Sequence, residues 1–491
     1  VKLDKMKSED EINKIIDEMK KEFDVEYAEP DRIAYPALEP NDPYYIDYQW
    51  HYKSSDYGAV NLPLAWDITT GLNSTIVAVL DTGILIHKDI SSSRILSGYD
   101  MISNSVIGND GDGRDEDPSD PGNFCLASER NTEGHPCYDS SCAPNCTTDK
   151  RSSWHGLHVT GTIGAISNNS EGVSGVDWNC KILPVRVLGK GGGYSSDLVD
   201  GIRWASGGNV SGVPTNQNPA KIINMSLAGY GSCPSDVQNA IDYAVSKGVS
   251  VVVAAGNDND NTSNYWPCNC NGVICVAAVK RNGDKTYYSN YGSNVFISAP
   301  GGDYYDNAYI WSTLNSGSTT PISSPAGDTY AGYQGTSMAT PHVSGIISLM
   351  LGLKPNLTLD EIRYNLRKTA KPFLSTSTCN TDICGWGIVD AYRALDNLVI
   401  LVSSSTPSSA SNIGNISISI WGKGFLNGAS VKLKRNGFSD ILCQDIDVVN
   451  LNQIDCILPL NGVSSGKWDL SVENVDGSSS TLLNYFEITS L

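Results

Sequence analysis

Gly335-Thr-Ser-Met-Ala-Thr-Pro-His-Val-Ser-Gly345 sets one hydroxyl, that of Ser337, between a small flexible residue and an apolar run of helical character. A serine so placed sits at a helix N-terminus, where unpaired N–H groups and the positive end of the dipole favour developing negative charge. Pro341 fits the same reading, because in the first turn or so its missing N–H costs little. A lone serine before a helix is ordinarily a cap. A nucleophile requires a base, and a residue to orient that base, elsewhere in the chain.

Two upstream segments have the right character. Ile76-Val-Ala-Val-Leu80 is a continuous apolar run that reads as a buried parallel strand. Asp81-Thr-Gly-Ile84 follows it directly, which puts a carboxylate at the C-terminal end of a strand, where open α/β sheets hold their sites. His155-Gly-Leu-His-Val-Thr-Gly-Thr-Ile-Gly164 reads as a closely packed helix that starts at His155. His158 lies three residues on and near the same face, so spacing alone does not choose between the two imidazoles.

Asp, His, Ser is the chain order of subtilisin itself. Asp81-Thr-Gly, His155-Gly-Leu-His158 and Gly335-Thr-Ser-Met-Ala-Thr-Pro341 resemble the three signature blocks of the subtilisin-like serine proteases, the subtilases. The resemblance implies that Asp81 orients the imidazole, His155 is the base and Ser337 the nucleophile, with His158 and His342 packed structurally. Ile223-Asn-Met-Ser-Leu-Ala-Gly229 resembles the family's substrate-binding strand, and Val251-Val-Val-Ala-Ala-Gly-Asn257 the strand ending in its oxyanion asparagine. By that carry-over Asn257 is a catalytic residue, and Ser226, Leu227, Ala228, Gly229 and Gly256 bind substrate. Leu157 and Ala228 depart from the usual pattern. A methyl at Ala228 is expected to reshape the primary specificity pocket without touching proton transfer.

From about Asp42 to Leu398 strand and helix patterns alternate. Ile76–Leu80, Lys181–Leu188, Lys221–Leu227, Val249–Ala255 and Val273–Val279 read as strands; Ser196–Ala205, Asp236–Lys247, Ser337–Leu353 and Thr358–Lys371 read as helices. That alternation predicts α/β architecture with a parallel sheet covered on both faces, and the resemblance implies the subtilisin-like three-layer fold. Gly385-Trp-Gly-Ile-Val-Asp-Ala391 resembles the close of that domain. Beyond it, Ser403-Ser-Ser-Thr-Pro-Ser-Ser-Ala-Ser411 reads as a polar linker. Ser417–Trp421, Ser430–Lys434, Asp455–Leu458 and Trp468–Val472 then alternate with period two between Gly, Asn and Asp turns, the pattern of a small antiparallel sandwich. Gly422-x-Gly-Phe-x-x-Gly-Ala429 resembles the opening of IPT/TIG-type immunoglobulin-like domains.

At the other end, Ser8-Glu-Asp-Glu11 resembles a capping box, and Ile12, Ile15, Ile16, Met19 and Phe23 recur at helical spacing. With Val25–Asp31 this resembles the last part of a subtilase propeptide; a plain amphipathic helix is the other reading. The expected domains are residues 1–37 (propeptide tail), 38–398 (catalytic), 399–411 (linker) and 412–491 (IPT/TIG-like sandwich). A signal peptide is expected to lie outside the sequence, since Val1 is followed by no charged and apolar leader.

Composition agrees with an exported hydrolase. The 491 residues are 40% hydrophobic and 18% charged, ample for a large core and additional domains. No apolar run approaches the roughly 18 residues of a membrane span. A net charge of −20 argues against nucleic acid and anionic lipid as partners. A monomer acting on polypeptides, with its own propeptide as a partner, is expected. Thirteen cysteines without paired C-x-x-C zinc spacing point to disulfides in an oxidising compartment. Cys443 and Cys456 are expected to pair, Cys379 and Cys384 can close a small loop, and the nine that remain leave at least one unpaired within the chain.

Structural calcium has two candidate sites. Asn109-Asp-Gly-Asp-Gly-Arg-Asp-Glu-Asp-Pro-Ser-Asp120 gathers Asp110, Asp112 and Asp115 among Gly-provided turns. A solvated acidic loop is the alternative reading. The resemblance points separately to Gln49, Asp89 and Asn169, with Asn168 as the alternative because its loop is one residue longer than usual. Calcium there would stabilise, because it binds the folded state and not the unfolded one. The expected function is a secreted serine endopeptidase working through an acyl-enzyme; a catalytically silent protein-binding module on the same scaffold is the alternative.

Overall fold

The computed structural model describes residues 38–490 apart from Ser54, together with Glu18, Met19 and Lys21. The expected propeptide helix and its capping box thus lie outside the described residues, save for those three. The chain divides into two units, Ala37–Asp396 and one that includes Asn397–Leu491.

In the first unit the apolar runs form the strands predicted for them. They are β1 (Ile76–Asp81), β3 (Lys181–Arg186), β4 (Ile222–Met225), β6 (Ser250–Ala254) and β8 (Val273–Val279). With β2 (Tyr99–Asp100) and β9 (Ile297–Pro300) they build a seven-stranded sheet in the order β2-β3-β1-β4-β6-β8-β9. Every neighbouring pair is parallel. Two small pairs accompany it: β5 (Gly229–Tyr230) with β7 (Tyr265–Trp266), and β10 (Ile310–Asn315) with β11 (Asp328–Tyr333). The longer helices are α1 (His155–Gly164), α2 (Ser195–Ala205), α3 (Ser235–Ser246), α4 (Thr336–Leu353), α5 (Leu359–Thr369) and α6 (Ala391–Asp396).

Covering both faces of the sheet explains the unbroken apolar runs, since β6 and β8 are buried along their whole length. Leu198, Ile202, Val237 and Ile241 of α2 and α3 join Ala78, Leu80, Leu183, Val185, Val251 and Val253 of the strands in one core. Helices α1 and α4 also pack on the sheet and on each other. Helix α4 is apolar nearly all round and almost entirely buried. A Cβ at its Gly345 would come within 2.6 Å of Val176, so α4 lies too close to that segment for any larger residue. The sheet order reverses at β1, between β3 and β4, and the crevice beyond the C-terminal ends of β1 and β4 is the switch point.

The second unit has two sheets, built from β12 (Leu401–Thr406), β13 (Ser409–Ser411), β14 (Asn415–Lys423), β15 (Ser430–Lys434), β16 (Ile441–Leu442), β17 (Gln444–Asn450), β18 (Gln453–Pro459), β19 (Gly466–Glu473) and β20 (Ser479–Thr489). Their orders are β12-β14-β18-β17 and β13-β20-β19-β15-β16. One core, including Ile420, Phe425, Leu433, Trp468 and Phe486, belongs to both.

The linker reading of residues 399–411 is corrected here. Residues 401–406 pair antiparallel with β14, and 409–411 pair parallel with β20. A serine-rich edge strand needs little side-chain burial: Ile400 and Val402 are buried, and the backbone ladder supplies the rest. Pro407 sits between the two short strands, where a missing N–H is tolerated.

Disulfides join Cys443 to Cys456 and Cys379 to Cys384, as expected. The remainder pair as Cys125–Cys137, Cys142–Cys146, Cys233–Cys270 and Cys268–Cys275, which leaves Cys180 free and buried.

Candidate active site

Asp81 ends β1 with its carboxylate buried, and His155 begins α1. His155 Nδ1 lies 2.8 Å from Asp81 Oδ1 and 2.9 Å from Oδ2. Close approach of helix to strand depends on Gly156, where a Cβ would stand 2.2 Å from the Gly83 carbonyl oxygen. The helix is entered through Trp154 at φ 47°, a left-handed conformation unusual for a bulky residue. Burial of the indole and its bond to the Gly317 carbonyl (2.8 Å) hold that strain in place.

A second carboxylate stands behind this pair. Thr82 Oγ1 donates to Asp120 Oδ2 (2.7 Å) and accepts from Gly156 N (3.0 Å), so Asp120 is tied to the first turn of α1 through one hydroxyl. Burial lowers the His155 pKa, but the charge and hydrogen bond of Asp81, with the charge of Asp120, outweigh it and raise the imidazole above its ordinary value. Burial also pushes Asp120 itself up to about 6.

Ser337 is the second residue of α4. Its hydroxyl donates to the Ser226 carbonyl oxygen (3.0 Å) rather than to His155, and Ser226 Oγ returns a bond to the Ser337 carbonyl (2.8 Å). Asn224 Nδ2 donates to Ser226 Oγ, and Ser344 Oγ to Asn224 Oδ1, so β4 and α4 are stitched together beneath the nucleophile. Asn257 follows β6. Its Oδ1 accepts from Thr336 N (2.8 Å) and Thr336 Oγ1 (3.0 Å), which leaves Nδ2 as the free donor. A Cβ built on Gly335 would lie 3.6 Å from both Asn257 Nδ2 and Ser337 N, so two donors border the same small space.

Of the expected substrate-binding residues, Ser226 is buried and Ala228 exposed, and Gly229 begins β5 against Trp266, whose ring a Cβ would meet at 2.4 Å. Gly256 adopts φ 101°. His158 and His342 are packed. His158 stacks on Tyr333 at 4.5 Å, and His342 Nδ1 donates to the Met338 carbonyl with His51 against its other nitrogen. Burial pulls both pKa values down, to about 3 and about 4.

The acidic segment does not gather as a metal site. Asp110 and Asp100 meet Arg186, Arg114 binds Asp197 and Asp200, and Asp115 Oδ1 takes the Asp117 N–H. Of the three expected ligands, Asp110 is drawn into an ion pair with Arg186, which sequence spacing could not connect to it, while the Asp112 N–H donates back to Asp110. Among the described residues no group of three or more His, Cys, Asp or Glu is poised for a metal. Around Asp89 the arrangement differs. Asp89 accepts from Asn169 Nδ2 (2.8 Å) and Val173 N (3.0 Å), while Asp42 accepts from Asn168 N (2.7 Å). Gln49 closes on both backbone atoms of Ser174. Asp42 and Asp89 are wholly buried, and burial, aided by the Asp42 charge, raises Asp89 to about 7.

Residues 73–387 match the model of the subtilase family. The chain belongs to that family. This subtilase is 46% identical over 372 residues to an extracellular protease of Xanthomonas campestris pv. campestris, covering 76% of this chain and 59% of that protein. It is 40% identical over 396 residues to an extracellular basic protease of Dichelobacter nodosus, covering 80% of this chain and 61% of the relative. The subtilase thus spans about three fifths of the length of these two relatives. A solved protease structure from Pseudoalteromonas arctica superposes with a TM-score of 0.66 at 52% identity, covering 73% of this chain and 99% of that one.

Proposed function

We propose that this subtilase is a secreted serine endopeptidase, made as a zymogen, that hydrolyses peptide bonds through an acyl-enzyme. The observation that carries the reading is the Asp81–His155 pair, set at the sheet's switch point with an elevated imidazole pKa. In the proposed cycle the Ser337 hydroxyl turns from the Ser226 carbonyl toward His155, which takes its proton as the oxygen attacks a peptide carbonyl. Asp81 fixes the imidazole tautomer and balances its charge. Asn257 Nδ2 and Ser337 N stabilise the oxyanion. His155 then protonates the leaving amine, and water releases the acyl group by the same route in reverse.

Residues 226–229 would pair with the substrate backbone by strand addition, with Gly256 facing the same cleft and Ala228 narrowing it. Relatives named as extracellular proteases, and disulfides in both units, support secretion. Residues 1–37 are read as the propeptide tail, and the double-sheet unit as an IPT/TIG-like accessory domain. Two wholly buried carboxylates, close enough for the charge of Asp42 to act on Asp89, suit a hard divalent ion, so Asp89, Gln49 and Asn169, joined by Asp42, would hold a stabilising calcium. No step of the reaction runs through it.

Casein hydrolysis by the processed chain tests the reading, with Ser337→Ala as the control. Cleavage that the substitution abolishes is the expected result. No cleavage by a correctly processed sample would favour the protein-binding module.

A further inference from the structure

The turn that carries Asn257 is clamped by a residue that lies 33 positions away and belongs to none of the motifs. Asn290, in the loop between β8 and β9, is wholly buried. Its Oδ1 accepts from both Asp258 N (2.9 Å) and Asp260 N (3.0 Å). Its Nδ2 donates to the Ala255 carbonyl (3.0 Å), and its backbone N–H to the Gly256 carbonyl (3.0 Å). These four bonds grip the chain on both sides of Asn257, at 255, 256, 258 and 260, while Thr336 holds the Asn257 amide oxygen from the nucleophile's helix.

The fit is specific to an asparagine. The carboxamide offers one oxygen with two lone pairs and one nitrogen with donors, in a plane. A carboxylate would face the Ala255 carbonyl with an acceptor, and a serine could not reach all three partners. Gly256 is shaped to the same contact: it takes φ 101°, and a Cβ on it would stand 2.3 Å from Asn290 Nδ2.

We propose that Asn290 is a positioning residue of the oxyanion turn, which holds the backbone of residues 255–260 so that Asn257 Nδ2 and Ser337 N converge on one point. This deepens the reading of Asn257 as an oxyanion donor and rests on it. Electrostatic stabilisation depends on donors fixed in advance, and misplacement by roughly 1 Å can cost about 10²-fold in rate.

A double-mutant cycle on the full processed chain tests it, read as steady-state kcat and KM on a chromogenic peptide. Asn290→Ser is expected to lower kcat by roughly 10- to 100-fold with KM little changed. In the Asn257→Ala background the same substitution is expected to cost almost nothing further. Asn290→Asp keeps the shape and the oxygen that accepts from Asp258 N and Asp260 N but sets a second acceptor against the Ala255 carbonyl, so its deficit should be comparable and should likewise vanish without Asn257. It keeps the test sharp if the serine variant does not fold. A variant that melts lower while keeping wild-type kcat, or one that loses the same factor with and without Asn257, overturns the proposal. Wild-type kcat in Asn257→Ala alone would overturn the oxyanion reading itself, and the inference with it.

Discussion

The parallel sheet and the C-terminal pair of sheets bury their residues on different schedules. Strand β8 is buried at every position, whereas β18 alternates between buried and half-exposed residues. In a sheet covered on both faces, packing uses up every side chain along the strand, so chemistry has room only where the strands end. Asp81 at the end of β1 and Asn257 just past β6 are polar residues at such ends. In a sheet with one wet face, polar residues recur throughout, and none stands out as a site. On the proposed reading the reaction therefore belongs to the first unit.

Removing the nucleophile should break the comparison most severely if the assignment is wrong. Ser337→Ala is expected to lower kcat on the order of 10⁶-fold, the magnitude known for the nucleophile of subtilisin itself, with both units still folded by circular dichroism. Asn257→Ala should cost roughly 10²- to 10³-fold in kcat, a range also taken from subtilisin. A cavity in the other unit gives the converse. Phe425 is fully buried in the double-sheet core, so Phe425→Ala should destabilise that unit by about 3–5 kcal/mol in denaturant titration while peptide turnover is unchanged. A parallel fall in kcat would mean that the sandwich takes part in the reaction.

The smallest effect concerns pH. His155 must be neutral to act as a base, and its raised pKa places the acid limb of kcat/KM above the ordinary histidine value of about 6.5. Asp120→Asn keeps the acceptor for Thr82 but removes a negative charge that favours the imidazolium. The His155 pKa should fall, and the acid limb should move to lower pH. An unmoved profile would show that Asp120 serves only to tether the helix.

The same contrast explains what the sequence disclosed. The triad blocks and the apolar strands are local patterns, legible because each is decided by its own neighbours. Asp120, Asp42 and Asn290 acquire their roles from partners tens of residues away: Thr82 for the first, Asn168 for the second, the 255–260 turn for the third. The partner of Asp110 was hidden for the same reason, since Arg186 is 76 residues further on. Strands 401–406 and 409–411 were read as linker because an edge strand imposes weak demands on composition, and serine satisfies them.

Labelling with a fluorophosphonate followed by peptide mapping tests the central claim most directly, because the reagent reacts with an activated serine and mapping names it. The account predicts one modified residue, Ser337, and no modification in His155→Ala. Labelling at another serine, or none in a processed and folded sample, would contradict it.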